Sequence, residues 1–194
     1  MRLKERILHE SLKLFSLKGF NATSIQDILE AAGTSKGGLY NHFKSKEDLF
    51  MQSLDEARKI WRDQNLMGLD RIRNPIDKII KLLENFRDLY LKDAKNFPGG
   101  CVFITFAVEL SDHHPHLAQE VGKGFDGLKR MIKRLLEEGK ASDRLKMEVD
   151  SVRVTEILFL GILGASITYL MDKSSENLQT SMGALIEFIE NLKS

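Results

Sequence analysis

The sequence predicts an all-α protein of about nine helices, an N-terminal group of three followed by a larger helical region. Three observations carry this expectation. Apolar residues recur at three- and four-residue spacing through most of the 194 positions, which is the period of a helix with one buried face. Runs of alternating β-branched residues are few, and only three prolines occur in the chain.

The elements follow in order. Leu3, Ile7, Leu8, Leu12 and Phe15 keep helical spacing up to Gly19, which stands where a C-terminal cap belongs, so the first helix spans 3–18. Thr23 or Ser24 caps a short second helix with Ile25, Ile28, Leu29 and Ala32 on one face, closed by Gly33. Ser35 caps a third, "KGGLYNHF", and Ser45 a fourth that begins near Lys46 and runs to about 67. Gly68 and Pro75 break the pattern before a fifth helix over about 76–95, whose stripe is Ile79, Ile80, Leu83, Phe86 and Tyr90. After "KNFPGG", a sixth helix carries "CVFITFAVELS", and Pro115 opens a seventh that runs to about 138. The eighth covers 147–171 and the ninth 176–192, with no repeat of fixed period to suggest a solenoid.

Composition narrows the classes. Hydrophobic residues make up 42% of the chain and charged residues 29%, values of an ordinary globular protein. A net charge of +1 excludes any partner that needs a strong global field, so a nucleic-acid claim must rest on local charge. The single cysteine forms no internal disulfide, and the opening "MRLKERILHE" lacks the apolar core of a secretory signal, so the expected compartment is the cytoplasm. The most apolar run, 157–171, is shorter than the ~20 residues that cross hydrocarbon. Glu156 and Asp172 bracket it, and a buried helix with no membrane contact is expected.

Two short helices joined by a Gly-containing turn form a helix-turn-helix, whose second helix enters the DNA major groove. Gly37 and Gly38 are helix-weakening residues side by side, each costing up to about 1 kcal/mol against alanine. Close approach to a duplex gives them a reason. From Thr34 to Lys46 the chain has three lysines, one histidine and no acid. Lys36, Lys44 and Lys46 can neutralise phosphates, Tyr40 and His42 can donate to phosphate, and Asn41 can read a base edge. Leu39 and Phe43, four apart, face a small core. The competing reading of the stretch is a solvated turn.

The stretch "GFNATSIQDILEAAGTSKGGLYNHFKSKEDLF", residues 19–50, resembles the DNA-binding pattern of the tetracycline-repressor (TetR) family of bacterial transcription regulators. The likeness lies in the Gly-Phe and Thr-Ser start, the Ala-Gly-Thr-Ser-Lys-Gly turn, Leu-Tyr-x-His-Phe and the following Ser-Lys-Glu. It covers the N-terminal quarter, and Gly38 departs from the small β-branched or hydroxyl residue often found there. The resemblance implies that Thr23, Tyr40, His42 and Lys46 contact phosphates and that Ser35, Lys36, Gly37, Gly38 and Asn41 face the groove. It implies a DNA-binding domain over 1–46 and an effector-binding and dimerisation domain over 47–194. A ligand-responsive repressor follows, which binds a palindromic operator as a homodimer, is released by a small molecule and needs no cofactor. Dimerisation has a physical motive too, since a two-fold pair presents two reading helices to grooves about 34 Å apart.

The interface is expected from helices eight and nine, through a small-residue patch of Gly161, Gly164, Ala165 and Ser166 and a stripe of Met182, Leu185, Ile186 and Ile189. Effector-pocket candidates are Trp61, Phe86, Tyr90, Cys101, Phe103, Phe106, Met131, Phe159 and Tyr169. Cys101 at the start of helix six has two readings, a buried small hydrophobe or a thiol that senses electrophiles or oxidants. Asp112, His113, His114 and His116 invite a metal, but their spacing suits no regular tetrahedral site and a solvated loop is expected. The competing class, a small all-α enzyme, needs paired carboxylates or a nucleophile and its base. Glu109, within "FAVEL", is the one acid off an exposed face, and suits a capping or ligand-recognition role better than catalysis.

Overall fold

The computed structural model describes residues 2–111 and 113–194. Among them are nine α-helices and no strand: α1 (Leu3–Lys18), α2 (Ile25–Ala32), α3 (Lys36–Tyr40), α4 (Lys46–Asn65), α5 (Pro75–Asn85), α6 (Val102–Leu110), α7 (Pro115–Ala141), α8 (Ser151–Asp172) and α9 (Ser175–Glu190). They form two compact units, one of residues 1–60 and 93–122, the other of 61–92 and 123–194.

Caps set most helix boundaries. The Ser24 hydroxyl accepts from Asp27 N while Asp27 accepts from Ser24 N, the reciprocal box that satisfies two orphan donors. The Ser24 N–H, with its hydroxyl and Lys18 adding to it, holds the Asp27 carboxyl below the usual carboxylate range. Ser45 accepts from Asp48 N at 3.0 Å and so starts α4 as expected. The eighth helix begins later than its periodicity suggests. Asp150 accepts from Val152 N and Arg153 N, and residues 147–149 precede this cap, with Lys146 N bonded to Leu192 O.

In the first unit, Phe15, Phe20, Phe50 and Phe106 form an aromatic core, with Phe50 5.1 Å from Phe20 and 4.7 Å from Phe106, edge to face. Ile7, Leu12, Ile28, Leu39, Phe43 and Leu49 are buried in the same unit. The loop before α6 meets the end of α1 without room for a side chain. A Cβ on Gly99 would overlap the Ser16 carbonyl, and Gly99 N donates to Ser16 Oγ at 3.0 Å.

In the second unit, α9 packs on both α5 and α8. The fifth helix departs from expectation at Asn85, where it passes into a π-helical turn, Phe86–Tyr90, with Leu91 N bonded to Phe86 O. Asn85 Nδ2 donates to Asn65 O and Met67 O, capping the end of α4. At Gly161 the Leu185 side chain of α9 packs onto α8 where a Cβ would overlap it.

Several of the residues expected at the interface are used within the chain. The small-residue patch mostly serves packing within the chain: Gly161 admits Leu185, and Ala165 and Ser166 are buried, so Gly164 alone of the four is exposed. Met182 and Ile189 are fully buried core, which leaves Leu185 and Ile186 half-buried on that stripe. Helix α8 is also not the buried helix expected. Its 22 residues are long and apolar enough to cross a membrane, and only 33% of its most apolar window is buried. Ile157, Leu160, Ile167 and Met171 are exposed.

Candidate DNA-binding interface

The first unit builds its surface on the α1–α2 turn. Gly19 adopts φ 79° and ψ 178°, a conformation open essentially to glycine alone. Its missing side chain leaves room for the Glu109 carboxylate, which accepts from Phe20 N and Asn21 N, each at 2.6 Å. Glu109 of α6 is thus a capping residue on the helix-turn-helix. Beside it, His114 Nε2 lies 3.1 Å from Asn21 Oδ1 and its ring packs edge-on to Phe20. Glu47 sits between two imidazoles, 3.8 Å from His114 Nδ1 and 3.3 Å from His116 Nε2. His114 and His116 of "DHHPH" therefore have a protein partner at the α4 start, while Asp112 lies outside the described residues.

Two residues expected at phosphates have partners within the unit. Thr23 is fully buried, and its hydroxyl donates to Gly19 O at 2.6 Å, so its side chain closes the turn. Lys46 is half-buried, with its ammonium 4.4 Å over the Phe20 ring and 3.5 Å from Asn21 O. Burial holds that ammonium below the ordinary lysine range, against the opposing pull of Glu109 and Asp27. Both contacts hold the ammonium beside the α1–α2 turn.

The remaining residues gather on α3 and the turn after it. Leu39 and Phe43 are buried and anchor the element. Lys36, Gly37, Tyr40, Asn41 and His42 are exposed, as is Lys44. Ser35 is the N-cap, its hydroxyl accepting from Gly38 N at 3.1 Å. The helix ends at Tyr40, earlier than expected, because His42 N turns to Leu39 O and tightens the last turn. The two glycines differ. A Cβ on Gly38 would overlap the Thr34 hydroxyl, whereas one on Gly37 meets only Ser35 Oγ at 3.9 Å. Nothing inside the protein requires glycine at 37. Gly37→Ala is therefore expected to leave stability unchanged or slightly raised and to weaken operator binding by about tenfold, the scale of one lost base contact. Parallel thermal unfolding and DNA titration check this, and full operator affinity in the variant would show that the duplex stays clear of Gly37.

Periodicity alone gave no warning of Gln26 and Glu30. Both are exposed on α2, and Gln26 Nε2 donates to Glu30 Oε1 at 2.8 Å. Projecting α2 as a helix would have revealed the pair, since i and i+4 lie on one face.

The effector-pocket candidates fall in both units. Phe106 belongs to the aromatic core beside Phe15 and Phe50, so it serves packing of the first unit instead. Cys101, the N-cap of α6, and Phe103 are buried in the same unit. In the second unit, Phe86 and Tyr90 pair at 5.1 Å in the π-helical turn. Phe159 packs against Phe125 at 5.7 Å and lies under the Lys129 ammonium, which is paired with Glu156. Trp61, Met131 and Tyr169 are half-buried.

Residues 7–52 match the model of bacterial regulatory proteins of the tetR family, and residues 75–185 that of the tetracyclin repressor-like C-terminal domain. The HTH-type transcriptional regulator QacR of Staphylococcus aureus is 42% identical over 64 residues, 33% of this chain and 34% of that protein's length. The HTH-type transcriptional repressor DhaR of Mycobacterium sp. is 22% identical over 193 residues, 95% of this chain and 91% of that one. A TetR transcriptional regulator from Chloroflexus aurantiacus, solved by crystallography, superposes with a TM-score of 0.89 at 30% identity over 98% of this chain and 96% of its own. From its helix-turn-helix through its C-terminal helices, the chain belongs to the TetR family of bacterial regulatory proteins.

Proposed function

We propose that this protein is a cytoplasmic, ligand-responsive transcriptional repressor that binds a palindromic operator as a homodimer and releases it when a small-molecule effector binds. The observation that carries the reading is the exposed Lys36–Gly37 start of α3 above the buried anchors Leu39 and Phe43. In this reading residues 1–46 form the DNA-binding part and 47–194 the effector and dimer part. Lys36 and Lys44 hold phosphate with Tyr40 and His42, and Asn41 faces base edges. The name of DhaR as a repressor supports the sign of regulation. No catalysis is assigned, because the acid singled out in the sequence, Glu109, is occupied by two backbone N–H groups.

The effector candidates of the second unit are Trp61, Phe86, Tyr90, Met131, Phe159 and Tyr169, and the π-helical turn carrying two of them supports this choice, since such turns concentrate at functional sites. The exposed apolar face of α8 is the dimer face rather than a lipid contact. Helix α4 contributes residues to both units and is the lever, effector binding favouring a conformation with altered operator spacing. Burial of Cys101 favours this reading over a thiol sensor.

Lys36→Ala tests the interface. It is expected to weaken binding to all duplexes and to lower the slope of log affinity against log salt by about one unit. An unchanged slope would place α3 off the phosphate backbone.

A further inference from the structure

On the surface of the first unit, Gln26, Leu29, Glu30, Gly33, Thr34 and Ser35 line one shallow, open groove. It joins the exposed face of α2 to the N-cap of α3. The recognition helix of a helix-turn-helix contacts bases with its N-terminal residues, so a groove continuous with that end faces the same base edges. An acid is out of place there, because Glu30 repels phosphate and opposes binding to any duplex. Its position needs a compensating reason, and its hydrogen bond supplies one.

A carboxylate only accepts, so the Gln26 amide must turn its nitrogen toward Glu30, as the 2.8 Å bond shows. One N–H is then used. What remains on the amide is one N–H and a carbonyl oxygen with both lone pairs. That set is complementary to adenine in the major groove, where N7 accepts and the N6 amino group donates. Guanine offers two acceptors at the same edge and would leave the amide oxygen without a partner. With the amide reversed, its oxygen would face the carboxylate, so the unproductive orientation is disfavoured. Leu29 adds apolar surface in the same groove for a thymine methyl group.

We propose that Gln26 reads an adenine in each operator half-site and that Glu30 is the positioning residue that fixes the amide for it. The proposal rests on the reading that the N-terminal end of α3 enters the major groove. Glu30 touches no base in it. Glu30 gives up nonspecific affinity and gains base selectivity through Gln26.

The test is selection from a random duplex pool by the full-length protein and by its Gln26→Ala and Glu30→Ala variants, all exposed positions whose folding is checked by circular dichroism. Wild type is expected to enrich adenine at one position in each half-site, and Gln26→Ala to lose that preference by ~5- to 100-fold. Glu30→Ala is expected to flatten the same position while binding random duplex more tightly; the tighter binding follows from losing any acid there, and the flattened adenine preference is what reads the positioning role. Placing 7-deaza-adenine there removes N7. It should weaken wild type and leave Gln26→Ala unaffected. A wild-type base profile in Gln26→Ala overturns the proposal. Loss of a cytosine preference in Glu30→Ala, with adenine intact, also overturns it and assigns direct reading to Glu30. The underlying groove reading fails separately, through Lys36→Ala and Gly37→Ala binding every duplex as wild type does.

Discussion

Gly19→Ala is expected to destabilise the first unit by about 4 kcal/mol, combining ~2–3 kcal/mol of backbone strain with ~1.5 kcal/mol for displaced hydrogen bonds. The strain comes from φ 79° with ψ 178°, which a side chain does not tolerate. The displacement follows because the new Cβ would occupy the place of the Glu109 carboxylate, which accepts from Phe20 N and Asn21 N. Glu109→Ala removes the same two bonds without the strain, and is expected to cost the same ~1.5 kcal/mol by leaving the part-buried Phe20 N–H poorly satisfied. The double variant should then fall short of the sum, since Gly19→Ala has already expelled the carboxylate. Urea denaturation of all four proteins reads the cycle. A Gly19→Ala variant within 1 kcal/mol of wild type would mean that the turn relaxes to another conformation and that Glu109 is not held by it.

Leu160→Glu is expected to convert the dimer into a folded monomer and to weaken operator binding by 10²-fold or more, the loss of linking two reading helices. Leu160 is 62% exposed within the chain, so a charge there adds no burial penalty to the monomer. Ile157, Ile167 and Met171 share this exposure on α8, and Gly164 beside them is open, with nothing within 4 Å of a would-be Cβ. Monomeric soluble proteins seldom leave such a patch uncovered. In the dimer each glutamate would be buried against the partner as an unpaired charge. Sedimentation and unfolding together decide the matter. A dimeric variant moves the interface away from this face, and an unfolded one shows that Leu160 supports the chain's own core.

The N-terminal elements were legible because their signals are local. Ser24, Ser35 and Ser45 cap helices whose partners lie three residues on, and Leu39 and Phe43 are buried as their four-residue spacing demands. Ends set by distant partners were less so. The late start of α8 depends on Asp150 and on pairing with Leu192, and the π-helical turn at Phe86 follows no pattern of apolar spacing. Among site residues, Lys36, Asn41 and His42 are exposed, while Thr23 and Lys46 have partners within the unit. Their residue types suit phosphate, but the Gly19 carbonyl and the Phe20 ring lie nearer.

By itself the sequence determined the all-α class, the order of the helices and the glycine and serine punctuation of the helix-turn-helix, because capping and period are properties of neighbours along the chain. Only the tertiary structure decided what Glu109 caps and which residues of α8 and α9 remain for a partner. Each of those depends on which side chains and backbone groups meet in space, 88 or 89 positions apart for Glu109.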